Sequence, residues 1–89
     1  MNSTHDLTIA LLEKEPSIHI VRRSPGGRVV EYSYGKSFVQ VRHYGGPWEV
    51  AKRNTIRVCS AEDVLETTWN ALMKQETTYC GCGRESLDV

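Results

Sequence analysis

The sequence has no long apolar run, since the longest is the four-residue stretch Ile9-Ala10-Leu11-Leu12. A helix needs about 20 consecutive apolar residues to cross a membrane, so the sequence predicts no such helix. Residues 1–6 also lack the basic stretch that opens a secretion signal. Cysteine is scarce, and its odd number, three in 89 residues, argues against the disulfide framework of small secreted proteins. We therefore expect a cytoplasmic protein.

The chain, at 89 residues, is long enough for one small domain but short for a full core beside a deep catalytic pocket. We expect a single domain over residues 1–89, with an ordered core over about residues 4–79 and a flexible tail over residues 80–89. The proportions of hydrophobic and charged residues, 39% and 25%, are those of an ordinary soluble domain rather than a disordered chain.

The net charge is zero, but the charges are segregated along the chain. Residues 19–57 hold eight Lys and Arg against two Glu, whereas residues 58–89 hold six acidic residues against two basic ones. Such an asymmetry of charge is informative about binding partners rather than about the fold. We therefore expect the basic middle of the chain to contact an acidic partner.

The N-terminal stretch predicts a short helix. Ser3 or Thr4 is suited to cap it, Asp6 lies in its first turn, and Pro16 follows its end. Residues 7–11 would also fit an edge strand, which is the weaker alternative.

From Ser17 onward the apolar residues recur with the period of two that is typical of strands. Short turns rich in glycine and proline interrupt this pattern, which predicts strands over residues 17–23, 28–34, 37–44, 48–51 and 55–59. Connections this short cannot hold parallel crossovers, so the strands should form an antiparallel meander. Side chains alternate between the two faces of a strand, and we call this rule parity. Parity places Val39 and Val41 inward, and it places Arg22 on the same face as Ile18 and Ile20.

A second helix is predicted over about residues 61–75, with Ser60 as its N-cap and Asp63 at the capping-box position. Its apolar stripe consists of Ala61, Val64, Leu65, Thr68, Trp69, Leu72 and Met73. The predicted fold class is therefore α+β: a small antiparallel meander of four or five strands, a C-terminal amphipathic helix packed on one face, and a short N-terminal helix.

Motifs that would indicate catalysis fail on spacing or context. Gly35-Lys36-Ser37 ends like a phosphate-binding loop, but Val30 stands where the motif needs a glycine, and strands flank it on both sides. We therefore interpret this stretch as a hairpin turn. His19 and His43 are expected on adjacent strands, without a nucleophile beside them. The sequence predicts no enzyme and no cofactor.

The three cysteines do not predict a metal site. The second helix, about 22 Å long, separates Cys59 from Cys80 and Cys82, and a pair alone supplies two of the four ligands that a structural zinc needs. Zinc at Cys80 and Cys82 would need histidines from the sheet or from a second chain, an alternative that stays open.

Aromatic residues lie among the cations of the middle segment, as in proteins that bind single-stranded nucleic acid. By parity, Arg42 and Tyr44 share a face with Phe38 and Gln40. The predicted partner-binding residues are Arg22, Arg23, Arg28, Lys36, Arg42, Tyr44, Lys52 and Arg53.

Two stretches carry a family resemblance: residues 38–42, Phe-Val-Gln-Val-Arg, and residues 55–58, Thr-Ile-Arg-Val, leading into Ser-Ala-Glu-Asp at 60–63. Amphipathic strands followed by a helix resemble the single-strand-binding transcriptional coactivator domains, in which a curved sheet precedes a dimerising helix. A homodimer through the helix at residues 61–75 is also expected, because its apolar face exceeds what a small sheet covers.

Two functions follow as hypotheses. The first is a non-catalytic protein whose basic, aromatic-interleaved sheet engages nucleic acid, an acidic protein or a nucleoprotein complex. The alternative is a phage-type accessory inhibitor, which blocks a host protein or nucleoprotein machine by protein–protein contact, as anti-CRISPR proteins do. Size and composition alone support the alternative.

Overall fold

The computed structural model describes residues 1–73, which form two helices and one five-stranded antiparallel sheet. In chain order the elements are α1 (Thr4–Lys14), β1 (His19–Arg23), β2 (Val29–Tyr34), β3 (Ser37–His43), β4 (Trp48–Lys52), β5 (Thr55–Cys59) and α2 (Val64–Met73). The strands lie in sequence order, so the predicted α+β meander is confirmed. Cys80, Cys82 and the predicted tail lie outside the described residues.

Both helices pack against one face of the sheet and enclose the core there. The core consists of Leu7, Leu11, Ile18, Val30, Tyr32, Val39, Val41, Trp48, Val50, Val64 and Leu72, all buried. The two helices run side by side in the same direction: the Met1 amino group donates to the Ala61 carbonyl at 3.1 Å, and Lys14 Nζ lies 5.0 Å from the Trp69 ring centroid.

The N-terminal stretch is a helix and not an edge strand. The Ser3 hydroxyl accepts from the Asp6 amide at 3.2 Å, which makes Ser3 the N-cap. Two buried threonines of α1 then join it to the sheet. The Thr4 hydroxyl donates to the Gly27 carbonyl, and the Thr8 hydroxyl lies 2.7 Å from the Tyr32 hydroxyl.

The α2 helix begins at Val64, three residues later than the sequence predicts. Both the Asp63 and Val64 amides donate to the Ser60 carbonyl, so the first turn mixes three- and four-residue hydrogen bonds before regular helix begins. The centre of its buried face is Val64, Thr68 and Leu72. The predicted stripe is therefore buried along its Val64 side, and Trp69 is only half-buried.

A β-bulge in β1 overturns the predicted position of Arg22. Ile20 pairs with Tyr32 on the helix-covered face, but the register shifts before Arg22, which pairs with Glu31 on the opposite face. The extra residue, Val21, reverses the alternation that parity assumes. Arg22 therefore does not share the face of Ile18 and Ile20.

Candidate binding surface

None of the described residues covers the face of the sheet that lies opposite the helices. We call this face the open face. Strand register places on it His19, Arg22, Val29, Glu31, Ser33, Phe38, Gln40, Arg42, Glu49, Ala51, Ile56 and Val58. The predicted sharing of one face by Phe38, Gln40 and Arg42 is confirmed. A sheet with one covered face and one uncovered face is the usual antiparallel arrangement.

A chain of polar contacts crosses the middle of the open face, from β2 to β4. Gln40 Nε2 donates to Glu31 Oε2 at 2.8 Å, Arg42 Nε donates to Gln40 Oε1 at 2.7 Å, and Arg42 Nη1 lies 3.6 Å from Glu49 Oε1. These contacts hold the side chains in place and balance their charges. The centre of the open face is therefore ordered and polar rather than strongly basic.

Large apolar side chains stand exposed on either side of this polar chain. Phe38 and Tyr44 are 47% and 61% exposed, and Ile56 and Val58 on β5 are 55% and 66% exposed. Patches of this kind, bordered by polar groups, are typical of interaction sites. Parity alone did not single out Ile56 and Val58, because only the strand order shows that β5 is an edge.

Most of the sheet's cations lie outside the open face. Arg28, Lys36 and Arg53 occupy turns, whereas Arg23 and Arg57 lie on the two edge strands at positions that face the helix-covered side; we call these five residues the cationic rim. Arg28 and Tyr44 lie at one end of the strands, and Lys36 and Arg53 at the other. Both of the sheet's glutamates lie on the open face, so the basic character belongs to the rim.

The eight predicted partner-binding residues thus fall into three groups. Arg22, Arg42 and Tyr44 belong to the open face or its end, and four of the others belong to the cationic rim. Lys52 differs from all of these, because its ammonium donates to the Ala71 carbonyl of α2 at 2.6 Å on the helix-covered side. Lys52 therefore ties α2 to the sheet.

Charge separates the two layers of the molecule. Residues 19–59 carry eight cations against two carboxylates. Residues 60–73 carry three carboxylates and no Lys or Arg, and residues 1–18 carry three carboxylates against Lys14. The sheet layer is basic and the helix layer acidic, so the electrostatic potential favours negative charge on the sheet side.

His43 and Cys59 are both half-buried, whereas His5 and His19 are exposed. His43 stacks on Trp48, with ring centroids 4.0 Å apart and 4° between the planes. The expectation that His19 and His43 lie on adjacent strands is wrong, since β2 separates β1 from β3. Burial raises the pKa of the Cys59 thiol despite its hydrogen bond with Thr67. Within residues 1–73, no three His, Cys, Asp or Glu side chains cluster as metal ligands do.

A shallow groove of about 470 Å³ lies on the helix layer, on the outer side of α2. Its lining residues are Lys14, Glu62, Leu65, Glu66, Trp69 and Asn70. The Lys14 ammonium already lies over the Trp69 ring, 5.0 Å from its centroid, so the best cation-binding position in the groove is filled from within the chain.

Comparison with protein-family models, with curated proteins and with solved structures finds no match to this chain. Among the residues that the structure describes, no helix is long and apolar enough to cross a membrane.

Proposed function

We propose that this protein is a non-catalytic binding protein that docks an acidic surface of another protein onto the open face of its sheet. The observation that carries the proposal is the combination of exposed Phe38, Tyr44, Ile56 and Val58 with cations in the turns at both ends of the strands. Protein interfaces combine an apolar, aromatic centre with a polar rim, and they are enriched in Arg.

The size of the open face implies that the cationic rim takes part. Five strands about 4.8 Å apart and about six residues long cover roughly 480 Å². A specific interface buries about 800 Å² on each partner. The turns that carry Arg28, Lys36 and Arg53 border the open face, so they supply the missing area and set the charge preference of the partner.

The ordered polar chain in the centre suits docking. Its groups are hydrogen-bonded before a partner arrives, so little side-chain freedom is lost on binding. Phe38 and Tyr44 would supply most of the binding free energy, because aromatic anchors dominate interfaces. The cationic rim would mainly raise the association rate and make it sensitive to salt.

Single-stranded nucleic acid is the second candidate partner. Phe38 shares the open face of β3 with Arg42, and exposed Tyr44 follows the end of that strand, so the two rings would offer aromatic platforms for bases near a cation. The Arg42 guanidinium is already held by Gln40 and Glu49, and the two open-face glutamates would repel phosphate. We therefore rank nucleic acid behind an acidic protein.

The biological use of such docking stays a prediction. Blocking a host protein or nucleoprotein machine, as a phage-type accessory inhibitor would, needs only this kind of contact surface. A homodimer through the helix at residues 61–75 also stays a prediction, but it draws less support, because Val64, Thr68 and Leu72 are already buried against the protein's own core.

Site-specific photo-crosslinking tests the proposal. A photoreactive amino acid replaces Phe38 on the open face in one sample and exposed Glu13 of α1 in a matched control, and both are irradiated in extract of the source cells. We expect the Phe38 probe to trap a protein that the Glu13 probe does not, with the yield falling in high salt. Trapping from Glu13 alone would show that the helix layer is the contact surface and would refute the proposal.

Titration of labelled single-stranded and duplex oligonucleotides tests the second candidate partner, single-stranded nucleic acid. Phosphate binding predicts that affinity falls steeply between about 50 and about 200 mM salt, with a slope near −0.7 per phosphate for single strands. No binding at low salt would exclude nucleic acid. If binding occurs, Arg42→Ala and Arg53→Ala should weaken it; unchanged affinity in both variants would place the contact elsewhere.

A further inference from the structure

The two edges of the sheet differ in how they are protected. In β1 the bulge between Ile20 and Arg22 breaks the register, and bulges are one of the features that stop an edge from pairing with another chain. In β5 the register with β4 is continuous from Thr55 to Cys59, without a bulge or a proline. The β5 edge is therefore competent to accept another strand.

The hydrogen-bonding groups of β5 alternate in direction. A two-residue turn joins Lys52 to Thr55, so these two residues close the hairpin as a hydrogen-bonded pair. Hydrogen-bonded and non-hydrogen-bonded pairs alternate along an antiparallel ladder, so Arg57 also faces β4. The amide and carbonyl groups of Ile56 and Val58 therefore point outward from the sheet.

The side chains of the same strand have alternating chemistry. Ile56 and Val58 are exposed on the open face, whereas Arg57 is exposed on the other side, and β5 contains no acidic residue. A strand added at this edge would place its own alternate residues beside these side chains. Apolar residues would lie beside Ile56 and Val58, and an acidic residue would lie beside Arg57.

We propose that the β5 edge binds an extended segment of a partner protein as a sixth strand, and that this segment alternates apolar and acidic residues. Main-chain hydrogen bonds would give the affinity and the alternating side chains the specificity. This inference rests on the proposed function, because it names the part of an acidic partner that is bound and extends the open face by one strand.

A second copy of the chain fits this edge less well. Full antiparallel pairing of β5 with another β5 centres on Arg57 and sets the two guanidinium groups opposite each other. Like charges in opposing positions destabilise a sheet. In-register parallel pairing also aligns Arg57 with Arg57, so charge complementarity favours a segment with an acidic residue at that position.

Anisotropy titration with a synthetic peptide tests the inference. The probe is a fluorescein-labelled peptide in which valine alternates with aspartate, and the controls replace each aspartate with lysine or N-methylate each valine. We expect only the unmodified aspartate peptide to bind, because the N-methyl groups remove the donors of the ladder. Equal binding of all three peptides would refute strand addition.

Protein variants locate the binding edge. Val58→Pro removes an outward amide and leaves the ladder to β4 intact, so binding should fall about tenfold or more; Val58→Thr keeps the amide and should lose less than about threefold. Arg57→Glu keeps the strand intact as a second, independent variant. It should reject the aspartate peptide and bind the lysine peptide, and failure of this exchange would overturn the proposal.

The remaining outcomes identify other occupants. Leu87, Asp88 and Val89 show the same apolar–acidic alternation. If the peptide binds only when full-length protein carries Asp88→Lys, the occupant is the chain's own C-terminal segment and the proposal is wrong. Dimerisation in sedimentation that Val58→Pro abolishes would identify a second copy instead. Successful crosslinking from Phe38 without peptide binding would refute strand addition while leaving the proposed function standing.

Discussion

The Thr68 hydroxyl is completely buried in α2, and it has no hydrogen-bond partner among residues 1–73. A buried hydroxyl without a partner costs about 1 to 3 kcal/mol, and valine has nearly the same shape without the polar group. We therefore expect Thr68→Val to raise the free energy of unfolding by about 1 kcal/mol or more, as measured by urea denaturation.

Thr67→Val is the matched control for that change. It makes the same chemical substitution one position earlier in α2, but Thr67 is only half-buried, and its hydroxyl is not a buried group that lacks a partner. Its loss should leave stability unchanged or lower it by about 1 kcal/mol. Stabilisation by both substitutions would mean that helix or β-branched effects, and not the unpaired hydroxyl, explain the result at Thr68.

At the scale of elements, the turns that follow β2 and β4 place different residues in the same backbone conformation. Gly35 has φ +58°, and Arg53 has φ +56° at the corresponding position of its own two-residue turn. The left-handed region costs a non-glycine residue about 1 to 2 kcal/mol. Strain of this kind persists where a side chain is needed, which fits the place of Arg53 in the cationic rim.

Arg53→Gly should therefore stabilise the domain by about 0.5 to 1 kcal/mol, since the relief of strain exceeds the added entropy of the unfolded glycine. Gly35→Ala is the reciprocal test: no atom lies within 4 Å of the added Cβ, so its expected loss of about 1 kcal/mol is a backbone effect. Thermal unfolding of both variants measures whether each substitution raises or lowers the stability of the domain. Destabilisation by Arg53→Gly would show that the arginine side chain contributes more than its strain costs.

The order and type of the elements could be predicted from local signals, and so could most of their boundaries, but the start of α2 could not. Period-two alternation and short glycine turns predict the meander, and Ser3 with Pro16 brackets α1 correctly. The bulge at Val21 has no such signal, because it depends on pairing with β2. The predicted stripe of α2 includes Thr68, but the pattern does not show that the fully buried side is that of Val64, Thr68 and Leu72 rather than that of Trp69, because packing against the sheet decides it.

For the whole molecule, the charge segregation along the sequence became a separation of layers, since the basic residues belong to the sheet and the acidic ones to the helices. The candidate site was harder to predict. Composition identifies the cations, but only the topology shows that most of them lie outside the open face, whose centre is balanced by Glu31 and Glu49. The edge position of β5 likewise follows from strand order and not from its own residues.

The hydroxyl contacts between α1 and the sheet make the stability of the whole domain sensitive to alkaline pH. The Thr8 hydroxyl donates to the Thr4 carbonyl at 2.8 Å, so the Tyr32 hydroxyl must donate to Thr8. Burial raises the pKa of Tyr32 from 10.0 to about 12. Ionised Tyr32 could no longer donate, and its charge would be buried in the core.

Tyr32 is protonated in both states below about pH 9, one unit under its ordinary pKa of 10.0, so it adds no pH dependence there. As pH rises from about 10 towards about 12 the unfolded chain loses this proton first, so the stability falls, by about 1.4 kcal/mol at pH about 11. Tyr32→Phe lacks the titration but loses one hydrogen bond, about 1 kcal/mol at neutral pH. Urea denaturation from about pH 8 to about pH 11 should therefore show that the difference in free energy of unfolding between the wild type and Tyr32→Phe falls to zero. Parallel pH profiles for the two proteins would mean that Tyr32 ionises as freely in the folded core as in water.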